Sequence, residues 1–166
     1  RPGADRELVN PLQERVKALF HEIFTSTKVQ ELKEVKNGIS VLLEGPDVKG
    51  PRRTFDKVLV CVGRKPNASG LNLDSTQVEL DDRGFIKTDK QCRTADPDIL
   101  AIGDVAGGLM LAHKATHEGR AAAETAAGRA SAFEPRAIPA VVFTDPEIAW
   151  CGLQQEDAKP VSYTHL

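Results

Sequence analysis

An apolar segment that ends in glycine and aspartate most constrains how this chain can fold. The segment is Ile99–Ile102, the pair is Gly103 and Asp104, and a glycine-rich loop then leads to a helix expected from about Ala112 to Ala127. A carboxylate at the C-terminal end of a buried strand, beside a helix N-terminus, is a typical arrangement for holding a dinucleotide. The sequence therefore predicts an α/β fold with a strand–loop–helix unit at a ligand-binding edge.

The other half of such a site is not found in the sequence. The glycine fingerprint G-x-G-x-x-G, which lets the backbone approach the phosphates of a dinucleotide, does not occur in the 166 residues. A chain of this length ordinarily forms one domain. Because the expected site is incomplete, we interpret the chain as a piece of an enzyme whose phosphate-binding half lies elsewhere.

Composition and charge narrow the classes of function. The content of 40% hydrophobic and 28% charged residues is typical of a globular chain, and a net charge of −2 lacks the basic footprint of a nucleic-acid-binding protein. No apolar run approaches the roughly 18 residues that cross a bilayer. Cys61, Cys92 and Cys151 stand far apart, which argues against a disulfide framework and favours a reduced, cytoplasmic location. We therefore expect no nucleic-acid partner and no membrane.

Two histidines raise the question of a metal site. His113 and His117 stand four positions apart on the expected helix, a spacing that binds zinc in other sequences. Position 114 is lysine rather than glutamate, and no third ligand lies nearby in the sequence. We interpret both histidines as packing or surface residues and predict no metal.

The first third of the sequence predicts a helix followed by a hairpin. Asn10 and Pro11 are typical of a helix N-cap and first turn, and apolar residues then recur at helical spacing. Asn37 and Gly38 predict a two-residue turn between a strand that opens near Val29 and a returning strand.

The remaining sequence predicts strands separated by turns. The continuous apolar run Val58–Gly63 is typical of a central parallel strand that is covered on both faces. Asp81–Gly84 predicts a turn, and Ala140–Thr144 predicts a further strand. The final residues, 161–166, fit nothing before them, and we interpret them as a translated sequencing adapter rather than natural sequence.

Several short motifs follow one another along the chain. They are Val62–Asn67, Arg83–Ile86, Ala101–Asp104, Met110–Ala115, Glu118–Gly119 and Phe143–Trp150. Each motif alone is weak or moderate. Together, in this order and spacing, they resemble the dihydrolipoyl dehydrogenases of the class I pyridine nucleotide-disulfide oxidoreductase family, and the resemblance runs from Gly3 to about Lys159.

This resemblance implies a fold of two dinucleotide-binding domains, for FAD and NAD(P), and an α+β dimerisation domain, here truncated at both ends. Residues 1–66 are expected to be the C-terminal part of the NAD-binding domain and residues 67–136 the second segment of the FAD-binding domain. Residues 137–160 are expected to begin the dimerisation domain. The family's redox-active C-x-x-x-x-C and its His-Glu pair fall outside the chain, so we expect no catalytic residue here.

For FAD, the resemblance implies a carboxylate and the start of a helix. Asp104 is expected to accept a hydrogen bond from the ribityl chain of the flavin. The helix start is formed by Met110, Leu111, Ala112 and His113, with Ala112 the expected amide donor to the flavin N1–C2=O edge. From the residues alone, Asp104 could equally serve only to turn the chain after the strand.

For NAD, the resemblance implies a strand valine at a position that lines the adenine pocket, together with residues at the carboxyl end of the Val58–Gly63 strand, where ligands of such sheets bind. They are Val29, Cys61, Val62, Gly63 and Arg64. Gly63 is expected to let NAD approach the backbone, although glycine also simply ends strands. One departure from the family pattern is Leu109, which stands where proline is usual.

The implied parent enzyme oxidises protein-bound dihydrolipoamide to lipoamide and reduces NAD+ through FAD. It is expected to be a cytoplasmic homodimer that serves the lipoyl domains of a 2-oxoacid dehydrogenase complex, and this chain alone is predicted to be inactive. Glutathione reductase, mercuric reductase and soluble transhydrogenase remain alternatives, although the Leu111–Ala115 run favours the lipoamide enzyme. A non-catalytic scaffold module is a further alternative.

Overall fold

The computed structural model describes residues 4–155, over which the chain forms two α-helices and five strands. Contacts divide the chain into two units. The first runs up to Val62 and includes Phe143–Ile148, and the second comprises Gly63–Val142 and continues from Ala149. In the described range no helix is long and apolar enough to cross a membrane. The predicted tail at 161–166 lies outside the described residues.

Helix α1 spans Arg6–Leu19, which confirms a helix but not its predicted start at Asn10. Asp5 occupies the N-cap instead, and its carbonyl accepts amides of the first turn. Pro11 lies inside the helix, where it cannot donate to the carbonyl of Glu7. Because Glu7 is exposed in the first turn, this carbonyl stays open to solvent and the helix continues through the proline.

Three antiparallel strands follow α1 in the order β1-β2-β3, namely β1 (Lys28–Val35), β2 (Gly38–Glu44) and β3 (Arg52–Phe55). The predicted hairpin is confirmed, but its turn is Lys36–Asn37, because Val35 pairs with Gly38.

Gly38 follows this two-residue turn and has two reasons to be glycine. It begins β2 with a φ of +127°, and a Cβ placed there would lie 2.3 Å from the carbonyl oxygen of Phe55. Glycine is therefore required both for the backbone conformation after the turn and for the close approach of β3.

Two predicted strands, the parallel strand Val58–Gly63 and the buried strand Ile99–Ile102, do not form. Val58–Gly63 has no strand structure, and Leu59 and Val62 are 87% and 84% exposed. In Ile99–Ile102, only Leu100 makes a bridge, to Arg93. A central parallel strand needs a neighbour on each side, and the described residues supply no ladder for either segment. An apolar run alone was therefore insufficient to predict a strand at either segment.

In the second unit, helix α2 spans Ala112–Ala126, in agreement with the predicted range to within one residue. It covers a small core. The buried members are Cys92, Ala121 and Ala122, with Leu100 and Phe133 packed against them. The alanines let the loops before and after α2 approach its axis closely, which is how a core of this size is filled.

The turns and strands of the remaining chain follow the sequence pattern. The Asp81–Gly84 turn is closed by the Gly84 amide, which donates to the Asp81 carbonyl at 2.9 Å. Strand β4 (Ala140–Val142) is shorter than predicted and pairs with β5 (Ile148–Trp150).

Candidate functional site

The Gly-Asp pair lies on a short 3-10 turn, Gly103–Ala106, that packs against α2. Gly103 has a φ of +74°, and a Cβ placed there would lie 3.3 Å from the Cβ of Ala115. Its amide donates to Oε2 of Glu118 at 2.7 Å. Glycine is required here both for the left-handed backbone and for the close contact with the helix, so the turn that carries Asp104 is fixed to α2.

Asp104 itself is exposed and forms an ion pair. Nη1 of Arg64 donates to Oδ2 of Asp104 at 2.8 Å, and the two side chains are 63% and 50% exposed. An exposed pair of this kind contributes at most about 1 kcal/mol. The structure therefore brings together a residue expected at FAD and one expected at NAD, which the sequence reading did not anticipate, and the carboxylate remains open to a further partner.

The N-terminus of α2 presents free amide groups. The N-cap residue Leu111 makes no side-chain cap, and the first amide in this region with an intrahelical acceptor is that of Ala115, which donates to the Leu111 carbonyl at 3.1 Å. Within residues 4–155, the amides of Ala112, His113 and Lys114 have no acceptor. Unpaired amides at a helix N-terminus, where the macrodipole is positive, favour an anion or a carbonyl oxygen.

The two histidines of α2 are exposed. Nε2 of His113 lies 2.7 Å from the Pro139 carbonyl oxygen, so the ring is engaged with the backbone of a later segment. Among residues 4–155, no three His, Cys, Asp or Glu side chains come together as metal ligands. The ring of His113 is therefore engaged, and its open group at the helix N-terminus is the backbone amide.

A buried ion pair on α2 was missed by the sequence reading. Nζ of Lys114 lies 2.6 Å from Oε1 of Glu118, and these side chains are only 6% and 11% exposed. The contact is an ion pair without hydrogen-bond alignment. A lysine and a glutamate four positions apart on an alanine-rich helix usually face solvent, so sequence spacing gave no signal that both lie inside.

Glu118 also influences the core cysteine. The thiol of Cys92 donates to the Glu118 carbonyl at 3.6 Å. Burial, and then the negative charge of the Glu118 carboxylate, raises the pKa of the Cys92 thiol. Cys92 is therefore a neutral packing residue.

The residues expected at NAD divide between the two units. In the first unit, Val29 lies on β1 with 56% exposure, and Cys61 and Val62 are exposed near its end. In the second unit, Gly63 has a φ of +72°, and a Cβ placed there would have nothing within 4 Å. Arg64 contacts Asp104. The backbone at Gly63 is thus open to an approaching group.

A groove of about 960 Å³ also lies beside α2 in the second unit. Its lining includes His113, His117, Phe133 and Ile138, and Asp104 is not part of it. This groove therefore includes His113 and Lys114 of the α2 N-terminus but not the Asp104 carboxylate.

Comparison with known families gives a match over most of the chain. Residues 2–119 match the model of the pyridine nucleotide-disulphide oxidoreductase family. The chain is 42% identical over 158 residues to dihydrolipoyl dehydrogenase of Vibrio cholerae, covering 95% of this chain and 33% of that protein. It is 42% identical over 161 residues to dihydrolipoyl dehydrogenase of Bacillus subtilis, covering 95% of this chain and 34% of that protein. The chain thus spans about a third of the length of these relatives.

Solved structures agree with this match. LpdA from Mycobacterium tuberculosis superposes with a TM-score of 0.83 at 29% identity, covering 98% of this chain and 35% of that protein. The flavoprotein disulfide reductase RclA from Escherichia coli gives a TM-score of 0.84 at 21% identity, covering 97% of this chain and 36% of that one. At that identity the second likeness shows the fold alone.

Proposed function

Because the chain belongs to the pyridine nucleotide-disulphide oxidoreductase family, we propose that it is part of a flavoprotein that oxidises protein-bound dihydrolipoamide to lipoamide with reduction of NAD+ through FAD. Proteins of this family use FAD and NAD. The relatives from Vibrio cholerae and Bacillus subtilis, which share 42% of the aligned residues, are both named dihydrolipoyl dehydrogenase. This supports the lipoamide reaction over the related disulfide reductases.

The observation that carries the proposal is the Asp104 turn packed on the open end of α2. Gly103 fixes this turn to the helix through Glu118, and the amides of Ala112 and His113 are free of acceptors among residues 4–155. A hydroxyl-bearing chain beside the carboxylate and a carbonyl edge beside the amides would satisfy both sets of groups. The residues present therefore fit FAD.

Bound FAD supplies a carrier for the electron pair that passes between the thiols and NAD+. This chain's residues bind and orient it. Asp104 would accept a hydrogen bond from the hydroxyl-bearing chain of the flavin, while Arg64 holds Oδ2 at 2.8 Å and so restricts the orientation of the carboxylate. The amides of Ala112 and His113, at the positive end of α2, would donate to the N1–C2=O edge, and Met110 and Leu111 lead the backbone into this position.

We also propose that the pyridine nucleotide binds the residues that the sequence pattern assigned to it. Those we assign are Val29, Cys61, Val62, Gly63 and Arg64. The open backbone at Gly63 supports close approach by a ligand. The domain assignments 1–66, 67–136 and 137–160 belong to the same proposal.

We propose that the thiol chemistry of the reaction is supplied by parts of the protein outside this chain. Cys61, Cys92 and Cys151 are free cysteines, and Cys92 is buried with a raised pKa. We therefore propose that the chain alone is inactive. We also propose that the whole protein acts as a cytoplasmic homodimer on lipoyl domains of a 2-oxoacid dehydrogenase complex.

The test is to express the full-length protein that contains this chain and to measure NADH formation from dihydrolipoamide. We expect a yellow, FAD-containing protein with this activity, and no NADH formation by the 166-residue chain with added FAD. Reduction of glutathione disulfide or mercuric ion, or transhydrogenation, in place of lipoamide turnover would assign the protein to one of the related enzymes. Absence of flavin would contradict the proposal entirely.

A further inference from the structure

The carboxylate of Glu118 lies inside the protein, against the turn that carries Asp104. Its Oε2 accepts the Gly103 amide at 2.7 Å in a buried hydrogen bond. Gly103 immediately precedes Asp104, so this bond fixes the backbone from which the Asp104 side chain projects. Glu118 thus acts on the candidate flavin site from behind, without being exposed at it.

Lys114 supplies the charge that lets this carboxylate be buried. Its Nζ lies 2.6 Å from Oε1, the oxygen that Gly103 does not use. On an exposed helix, a pair four residues apart stabilises better when the glutamate is N-terminal to the lysine, and here the order is reversed. A buried ion pair is also a weak source of stability, because both charges lose their water. The pair is better explained by what the carboxylate holds in place.

The pair connects the two parts of the candidate flavin site. Lys114 belongs to the first turn of α2, whose amides are open, and Glu118 reaches the Gly103–Ala106 turn. A Cβ at Gly103 would lie 3.3 Å from the Cβ of Ala115, so no side chain fits between the turn and the helix. One hydrogen bond and one close contact therefore set the spacing between them.

We infer that Glu118, neutralised by Lys114, is a positioning residue that holds Asp104 at a fixed distance from the α2 amides so that both engage FAD. This inference rests on the proposed function. Glu118 does not touch the flavin and acts through the Gly103 amide.

Two double variants of the full-length protein separate this role from a general effect of the charges. Lys114→Met/Glu118→Gln removes both charges and keeps an acceptor for the Gly103 amide. Lys114→Met/Glu118→Met places at position 118 a side chain of similar length to glutamine but without a carbonyl acceptor. We expect the Gln variant to keep the FAD dissociation constant within about threefold of the unmutated protein and the Met variant to raise it about tenfold, the size of one lost buried hydrogen bond.

A double-mutant cycle with Asp104→Asn identifies the route of the effect. If Glu118 acts through Asp104, the tenfold difference between the Gln and Met variants shrinks to less than about twofold when Asp104 is replaced. If the difference stays tenfold in that background, Glu118 affects flavin binding by another route and the inference is overturned. If Asp104→Asn alone leaves FAD affinity unchanged, the proposed role of Asp104 fails instead, which is a separate outcome.

Hydrogen exchange of the Gly103 amide in the flavin-free full-length protein gives a second measurement that needs no flavin. We expect slow exchange in the unmutated protein and in the Gln variant, and at least about tenfold faster exchange in the Met variant. Equal exchange rates in the two variants would overturn the inference.

Discussion

The β1-β2-β3 sheet and the α2 region, each within its own unit, are built in different ways. In the sheet, each strand pairs with the next one along the chain, and β1 is joined to β2 by only two residues. In the second unit, Ile99–Ile102 makes a single bridge, and order comes from glycine backbone packed on a helix. The comparison teaches that pairing between neighbours in sequence forms within this chain, whereas pairing that needs a distant strand does not.

Burial also separates the two regions. Strand β1 is exposed along its whole length, while Cys92, Ala121 and Ala122 form a core beneath α2. Apart from Ser40 and Val41, which are buried on β2, the sheet therefore depends on backbone register, whereas the α2 region depends on close packing. Substitutions that disturb either the sheet or the packing on α2 should therefore have different effects in the two regions.

The largest expected effect is at Gly38, where the sheet has no space for a side chain. Gly38→Ala places a Cβ 2.3 Å from the Phe55 carbonyl oxygen at a φ of +127°, so β3 must move and we expect a loss of about 3 kcal/mol. Urea unfolding of the 166-residue chain measures it. Gly50→Ala is the control, because Gly50 also has a positive φ but nothing within 4 Å. Equal losses at the two positions would show that the close approach of β3 to Gly38 adds nothing to the backbone strain.

The next effect concerns packing of the turn on α2. Gly103→Ala meets the Ala115 Cβ at 3.3 Å, while Gly128→Ala has nothing within 4 Å, and the two φ values are +74° and +73°. Each variant places alanine at a left-handed φ, which costs about 1 kcal/mol. Gly103→Ala adds overpacking and should lose about 2 kcal/mol in all. Thermal unfolding of both variants measures the packing contribution as the difference between their losses. Equal losses would contradict a destabilising contact between position 103 and Ala115.

Two valines test whether an apolar pattern or actual burial determines stability. Val41 on β2 is 4% exposed, and Val62 in the predicted strand that does not form is 84% exposed. Val41→Ala should cost about 1.5 kcal/mol, whereas Val62→Ala should stay within about 0.5 kcal/mol. A comparable loss at Val62, measured by denaturant unfolding, would mean that the Val58–Gly63 segment is buried after all.

The smallest effect is a dependence of stability on pH that comes from the α2 core. Burial raises the pKa of Cys92 above its usual value of 9.0 in the folded chain. The neutral thiol thus contributes stability that is complete below pH 9.0 and is lost as the pH rises through the folded-state value. Cys92→Ala should reduce the loss of stability at alkaline pH. Unfolding experiments at a series of pH values from neutral to alkaline measure this. Cys151→Ala, at an exposed cysteine, should leave that fall unchanged.

The sequence predicted the local elements well. The range of α2, the β1-β2 hairpin and the Asp81–Gly84 turn depend on residues close together in the chain, so propensity and turn chemistry were sufficient. The start of α1 was wrong because an exposed first turn tolerates Pro11, and the hairpin turn lies one residue earlier than predicted because Val35 pairs with Gly38.

The candidate site was predicted only in part. Asp104 and the α2 N-terminus were identified from a strand–loop–helix pattern, and their assignment to FAD remains a prediction. The Arg64–Asp104 ion pair and the burial of Lys114 and Glu118 could not be predicted, because both depend on contacts between residues that chain spacing does not reveal. The central strands failed for the same reason, since a parallel ladder requires partners distant in sequence.

The most direct test of the account is Ala112→Pro in the full-length protein. Ala112 is the first helical residue, and Leu111 already has the extended backbone, φ −130° and ψ 135°, that precedes proline. The substitution therefore removes one open amide while leaving α2 intact, and Ala112→Ser serves as the control that keeps the amide. We predict an FAD dissociation constant at least about tenfold higher for the proline variant, with unchanged thermal stability of the flavin-free protein. Equal FAD affinity of the proline and serine variants, with α2 intact in both, would contradict the claim that the amides of α2 hold the flavin.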